Sequence, residues 1–347
     1  MSEGERGGPS RALVIAAFAA VYLIWGSTYL AIRFGLETLP PFLLGAARFL
    51  VAGAILYGWA RRRGAARPSR AEWGAAAWIG ALLLLVGNGA VVWAEQRVAS
   101  GVAALLVATV PFWMVVVEAV RPGGVRPNRR VKVGLVVGLL GLALLTGPGE
   151  LVGGGGGVDL VGAAVLLVGS LGWSIGSVYS RHARLPSSPL LATGMQMLVS
   201  GACFLVISGL VGELDGLRVE AISLRSILGL AYLIVFGSLV GFTAYGWLLR
   251  VSTPARVSTY AYVNPVVAVL LGWLLGGEPL TARIVLAMVI ILGSVALINT
   301  ARTASAGRVR AGGEEPQPQR RLRRRAALRR AGRLRRPWRR RRARCLD

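Results

Sequence analysis

The chain has 347 residues, 54% of them hydrophobic, and a mean hydropathy of +0.60. No water-solvated body of this size needs so much apolar surface, so the composition excludes an ordinary soluble fold and makes lipid the solvent. A formal charge of +25 suggests a nucleic-acid binder until it is mapped: 18 arginines against Glu314, Glu315 and Asp347 place +15 after residue 300, leaving +10 on residues 1–300.

In chain order, residues 1–11 form a short N-terminus carrying Arg6 and Arg11. The apolar run that follows extends from Ala12 to about Ile32, too long for a cleaved signal sequence, and reads as a retained first span. A spanning helix needs about 20 mostly apolar residues. Ten segments qualify: roughly 12–33, 41–60, 73–93, 98–119, 131–147, 158–180, 190–211, 225–249, 255–276 and 282–300. The separators carry helix breakers, among them Pro40–Pro41, Pro122–Gly123–Gly124, the glycines 153–157, Pro186 and Pro189. With a cytoplasmic N-terminus, the inner loops hold Arg61, Arg62, Arg63, Arg67, Arg70, Arg121, Arg126, Arg129, Arg130, Lys132, Arg181, Arg184, Arg250 and Arg256. The outer loops hold Glu37, Glu95, Glu150, Asp159, Glu213, Asp215, Glu220 and Glu278. Basic loops stay inside, so the bias places both termini of an even-span chain in the cytoplasm.

The chain repeats itself. Leu85–Val86–Gly87, Ala90, Trp93 and Pro111 recur 154 residues later as Leu239–Val240–Gly241, Ala244, Trp247 and Pro265. At an offset of 148, Trp25 matches Trp173, Arg33 matches Arg181 and Gly53 matches Gly201; at 152, Gly141 matches Gly293 and Leu145 matches Leu297. Each half holds five spans, an odd number, so the second half enters the membrane inverted. The expected fold is an all-α integral membrane protein of ten transmembrane helices in two inverted five-helix repeats. Residues 12–147 make the first repeat, 148–157 a Gly-rich linker, 158–300 the second repeat and 301–347 a disordered, Arg-rich cytoplasmic tail. Duplicated membrane chains of this kind point first to transporters, in which two halves rock about a central site.

Trp25–Gly26–Ser27–Thr28, Ala47–Arg48–Phe49, the stretch Ala103 to Pro111, Tyr262–Val263–Asn264–Pro265 and Gly277–Glu278–Pro279–Leu280 together resemble the ten-helix, EamA-type members of the drug/metabolite transporter superfamily. The resemblance covers residues 12–300. It implies an inner-membrane permease, often an exporter of amino acids or related metabolites, with spans 1, 3, 4, 6, 8 and 9 around a cavity. Multidrug-type efflux is the alternative cargo class. An enzyme acting on a lipid-linked substrate would need His, Asp or Glu clustered at one membrane face, and a receptor would need a soluble domain; the sequence supplies neither. No cofactor or metal is expected, because one histidine (His182) and the two cysteines (Cys203 and Cys345) offer no ligand spacing.

Arg48 lies inside span 2, where an unpaired charge is costly and marks either an anionic substrate group or a tie between helices. Its repeat partner is Gln196, polar but uncharged. Pro111 and Pro265 break the carbonyl–amide ladder of spans 4 and 9 at matched positions, which exposes backbone carbonyls to a cavity or kinks the helix for packing. Asn88 and Asn264 are polar at similar depth. Trp25, Tyr179, Tyr245 and Tyr262 join them as substrate-binding candidates from a wider aromatic set that includes Trp93, Trp113, Trp173, Trp247 and Tyr260, some of which belong to an interfacial belt. Only Glu118 is placed inside a span; Glu95 reads as interfacial, which leaves proton coupling without an obvious carboxylate. Gly134, Gly138 and Gly141 suit close helix contact, and the protein is expected as a monomer or homodimer. The expected partners are a small-molecule substrate and anionic lipid headgroups that attract the tail. Leu322, Ala326, Leu328, Ala331 and Leu334 would give that tail an amphipathic face. Nucleic acid is not expected, since Trp338 is the tail's only aromatic residue.

Overall fold

A computed structural model describes residues 10–122, 127–146, 158–252, 257 and 259–313. Among these residues the backbone is helical and contains no strand. The helices are α1 (Arg11–Gly35), α2 (Pro41–Arg62), α3 (Arg70–Ala94), α4 (Ser100–Val120), α5 (Arg129–Thr146), α6 (Leu160–Ser180), α7 (Pro189–Leu210), α8 (Leu224–Leu248), α9 (Tyr260–Gly276) and α10 (Ala282–Ile298). Seven of them, α1–α4 and α6–α8, are long and apolar enough to cross a membrane. The helix α5 opens on Arg129, Arg130 and Lys132, while α9 and α10 are shorter apolar helices. The backbone helix begun at Ala282 runs on to Gly313, into the stretch expected to be disordered. The linker at 148–157 and the amphipathic face at Leu322–Leu334 lie outside the described residues.

Local sequence explains where the helices start. Orphan amides in a first turn need acceptors. Ser10 accepts from Leu13, Asp159 from Gly162, Ser188 from Leu191 and Ser223 from Ser226, while Ser69 and Glu72 form a reciprocal capping box. Pro40–Pro41 and Pro189 sit where a missing amide costs nothing. The first turn of α2 is capped from a distance: Glu213, just past α7, accepts from Phe42 N at 3.1 Å and Leu43 N at 2.9 Å. Gly277 ends α9 in the left-handed region, with φ 65°.

Two helices depart from α geometry at matched places. Ala81–Asn88 in α3 and Leu233–Val240 in α8 are π-helical, each 8 residues long, and the second lies 152 residues after the first. Wide π turns are uncommon and loosen the backbone ladder locally. The proline-bearing helices differ from each other: α4 breaks at Ala108–Thr109, leaving Pro111 in the first turn of a new segment, whereas α9 runs through Pro265.

The packing is organised around α2 against α7. A Cβ at Gly53 would lie 2.8 Å from Leu198 N, at Gly194 2.7 Å from Tyr57 N and at Gly201 2.8 Å from Leu50 N, so the two backbones touch at their glycines. Small residues are what permits such approach in lipid, where no hydrophobic force draws helices together. Phe49 and Phe204, both fully buried, stack beside this crossing at 5.9 Å. Further pairs are α1 with α8 and α9, α6 with α3 and α4, α2 with α8, α7 with α3, and α4 with α9. Exchanging α1–α5 for α6–α10 carries α1–α8 onto α6–α3, α1–α9 onto α6–α4 and α2–α8 onto α7–α3, and returns α4–α9 and α2–α7 to themselves.

The glycine face of α5 is used inside the chain. A Cβ at Gly134 would sit 2.6 Å from Ile298 Cγ1, and one at Gly141 2.8 Å from Ile291 Cγ1, while Gly138 abuts Phe112 and Ser294. This face is therefore filled by α10 and α4.

Candidate functional site

Arg48 is 4% exposed and points from α2 into the π-helical stretch of α8. Its Nε donates to Ser238 Oγ at 3.0 Å, and its guanidinium lies 4.9 Å from the centre of the Phe49 ring. A Cβ at Gly237 would stand 3.2 Å from one Nη, so glycine is what admits the guanidinium there. Among the described residues Arg48 has no carboxylate partner. A buried cation held by one hydroxyl and a ring face retains donors able to bind an anion.

Trp25 stands next to it. Its Nε1 donates to Gly237 O at 3.2 Å, a carbonyl in the π stretch. The indole is surrounded by Tyr245, Phe242 and Tyr260 at ring-centre distances of 5.1, 5.3 and 5.3 Å. Trp25 also lies against Gly241, and its repeat mate Trp173 lies against Gly87 in the same way, at 3.0 Å from a Cβ built there. The α1–α8 and α6–α3 contacts are thus one arrangement made twice.

The remaining candidates are dispersed. Asn88 Nδ2 reaches Leu83 O, five residues back across the π stretch of α3, at 3.4 Å. Asn264 is buried, and with its amide nitrogen facing the carbonyls of Tyr260 in its own helix at 3.1 Å and of Tyr22 at 3.2 Å it ties α9 to α1 through the latter. Tyr262 donates to Val295 O at 3.2 Å, which joins α9 to α10. Gln196 is half-buried where α7 meets Gly80 of α3. Tyr179 is exposed near the end of α6. Pro111 and Pro265 are both buried; at the break before Pro111, Ser174 of α6 donates to Val110 O at 3.0 Å. Of the predicted set, Trp25, Arg48 and Tyr245 come together around the α8 π stretch.

A second polar centre was not anticipated. Glu278, 6% exposed, follows α9 and accepts at Oε1 from Arg33 Nη1 at 2.5 Å and from Ser100 N and Oγ at 2.7 Å each; Oε2 accepts from Gly101 N at 3.0 Å. One carboxylate thus caps the N-terminus of α4 and binds the end of α1. Glu95, one residue past α3, is 8% exposed, and neither carboxyl oxygen has a partner among the described residues. Burial, and after it the charge of Glu278, holds the Glu95 carboxyl well above the ordinary range, while Arg33 acts in the opposite sense. A cavity of about 190 Å³ adjoins this centre, lined by Arg97, Gly101, Asp159, Val269, Glu278 and Arg283 among others. Glu95 lies where a span meets a loop, and its burial depends on the α1, α4 and α9 ends converging over it.

Comparison with known proteins places this architecture. The profile of the EamA-like transporter family matches residues 12–147 and again residues 160–300. The chain belongs to the EamA-like transporter family. Within this membrane transporter family, the Escherichia coli (strain K12) protein named uncharacterized inner membrane transporter YedA is 41% identical, over 82% of this chain and 90% of its own length. The Bacillus subtilis (strain 168) protein named uncharacterized transporter YoaV is 25% identical over 80% of this chain and 94% of its own. A protein of known crystal structure, 22% identical, superimposes with a TM-score of 0.58 over 85% of this chain and 99% of its own, sharing the fold. The two profile matches coincide with the two halves whose π stretches and glycine–tryptophan contacts correspond, so this EamA-like chain carries the duplication in sequence and in packing.

Proposed function

We propose that this protein is an inner-membrane permease that exports small organic metabolites, amino acids or related compounds, by alternating access. Ten membrane-spanning helices form two inverted five-helix repeats in this reading, with both termini in the cytoplasm. The observation that carries it is the self-mapping helix packing, α2 on α7 and α4 on α9 at the centre, with α1–α8 answered by α6–α3. Such a bundle has two equivalent ways of opening, one toward each face, because contacts broken on one side have counterparts on the other. Arg48 receives the anionic group of the cargo, and the ring nest of Trp25 and Tyr245 receives its apolar part. Gln196, Asn88, Tyr262, Asn264 and Tyr179 complete the path as helices shift, and Pro111 and Pro265 mark where α4 and α9 bend. The Glu278 end of the bundle faces the outer side.

The test is efflux of radiolabelled amino acids and amphipathic organic acids from loaded cells that overproduce the protein. Faster efflux of at least one solute, reduced about 10- to 100-fold in Arg48→Met, is expected. Unchanged efflux across the whole panel at verified membrane levels overturns the proposal.

A further inference from the structure

We propose that Glu95 is a proton-binding site at the Glu278 end of the bundle, and that it gives up its proton when that end opens. The charge arrangement around it carries this reading. Arg33 and Glu278 form a contact pair, and Arg97 and Asp159 form a second at 3.9 Å. Tyr29 and Arg33 of α1 and Glu278 of the α9–α10 turn are the titratable groups that act on Glu95, while Arg97, Asp159 and Arg283 line the adjoining cavity. With both pairs matched, neither Arg33 nor Arg97 is free for a Glu95 carboxylate, and among the described residues no ion pair joins Glu95 to Arg283 of the cavity wall. No donor reaches either of its oxygens, and the Ser100 amide and hydroxyl and the Gly101 amide at the start of α4 are taken by Glu278.

An ionised Glu95 would therefore put an uncompensated charge into a site closed to water, which is strongly disfavoured. The neutral acid fits the closed arrangement. If the Arg33–Glu278–Ser100 contacts part, water enters along the adjoining cavity and solvates Glu95, whose proton passes to water as hydronium or to buffer base. The reverse transfer precedes closure. Proton occupancy and the state of this end are thus linked quantities: each biases the other by the same free energy. In the transport reading above, this makes the bundle sensitive to a proton gradient without a carboxylate at the Arg48 site.

The experiment needs no cargo, so its failure is distinguishable from failure of the transport proposal. Infrared difference spectra of the purified full chain in lipid nanodiscs, titrated from about pH 5 to about pH 9, should show a protonated-carboxyl carbonyl band that disappears on alkalisation. The band should be absent in Glu95→Gln and retained in Glu118→Gln. In parallel, Val98→Cys, beside the cavity, is labelled with a maleimide at each pH. Labelling should rise with pH by about tenfold more in the Glu95 background than in Glu95→Gln, which removes the contribution of thiol ionisation itself. Should Glu95→Gln fail to assemble, Glu95→Asp, which keeps the ionisable group on a shorter stem, should shift the band. A wild-type protein without the band, a band surviving in Glu95→Gln, a band unmoved in Glu95→Asp, or equal labelling ratios in both backgrounds overturns the proposal.

Discussion

Arg48 shows how one residue carries a cost that only function or a neighbour's geometry offsets. Its partners are a serine hydroxyl and an aromatic ring, not a carboxylate. A methionine of similar length would bury without charge, and removing a buried charge in favour of an apolar side chain is often neutral or stabilising. Arg48→Met should accordingly keep or raise the melting temperature of the detergent-solubilised protein. Its transport should fall by about 10- to 100-fold, the worth of one charge-assisted hydrogen bond to the cargo. Paired melting and efflux measurements check this, and a large drop in melting temperature would make Arg48 a structural tie instead. Sequence alone placed Arg48 in a span but left its role open between these readings, because Ser238 is 190 residues away. Glu95 was harder still. Hydropathy puts it at a span end, where a carboxylate is normally wet, and nothing local signals that Arg33, Ser100 and Glu278 close over it.

The glycines decide how close the helices come. Along α2, Gly53 meets the backbone of α7, whereas Gly58 on the same helix has nothing within 4 Å of a Cβ. Gly53→Leu should therefore split the central crossing, costing about 1–3 kcal/mol or more through overpacking. Gly58→Leu should be close to silent. Fluorescence-detected size-exclusion profiles and thermal midpoints of the two variants compare them directly; equal behaviour would remove the crossing from the stability argument. Helix positions were legible from hydropathy to within a few residues, and the caps were legible from Ser, Asp and Pro at the boundaries. The π stretches were not. Ala81–Asn88 and Leu233–Val240 look like uniformly apolar helix, and only the structure shows the first lying where Gly172 and Gly176 of α6 meet Val86 and Leu83. The break at Ala108–Thr109 was equally hidden, since Pro111 and Pro265 predict the same behaviour for both helices, whereas α9 runs from Tyr260 through Pro265 to Gly276.

At the scale of the molecule, the described residues up to Thr300 form one compact unit. This unit contains every candidate site, so a chain truncated after Thr300 should assemble and transport at wild-type rates. Reporter fusions at residue 1 and at residue 300 of that chain should both report the cytoplasm. A loss of transport beyond about tenfold on truncation would give the arginine tail a role, and reporters on opposite sides would cancel the inverted arrangement. Composition, the 148- to 154-residue repeat and the loop charges settled by themselves that this is a duplicated helical membrane protein, because span length and repeat spacing are properties of the linear chain. Family membership followed from the same patterns. Which polar side chains meet was decided only in three dimensions: Arg48 with Ser238, Trp25 with Gly237, and Glu278 with Arg33 and Ser100 pair residues between 178 and 245 positions apart. In an apolar solvent each such group must find a partner or go without, and helix packing determines which of the two it does.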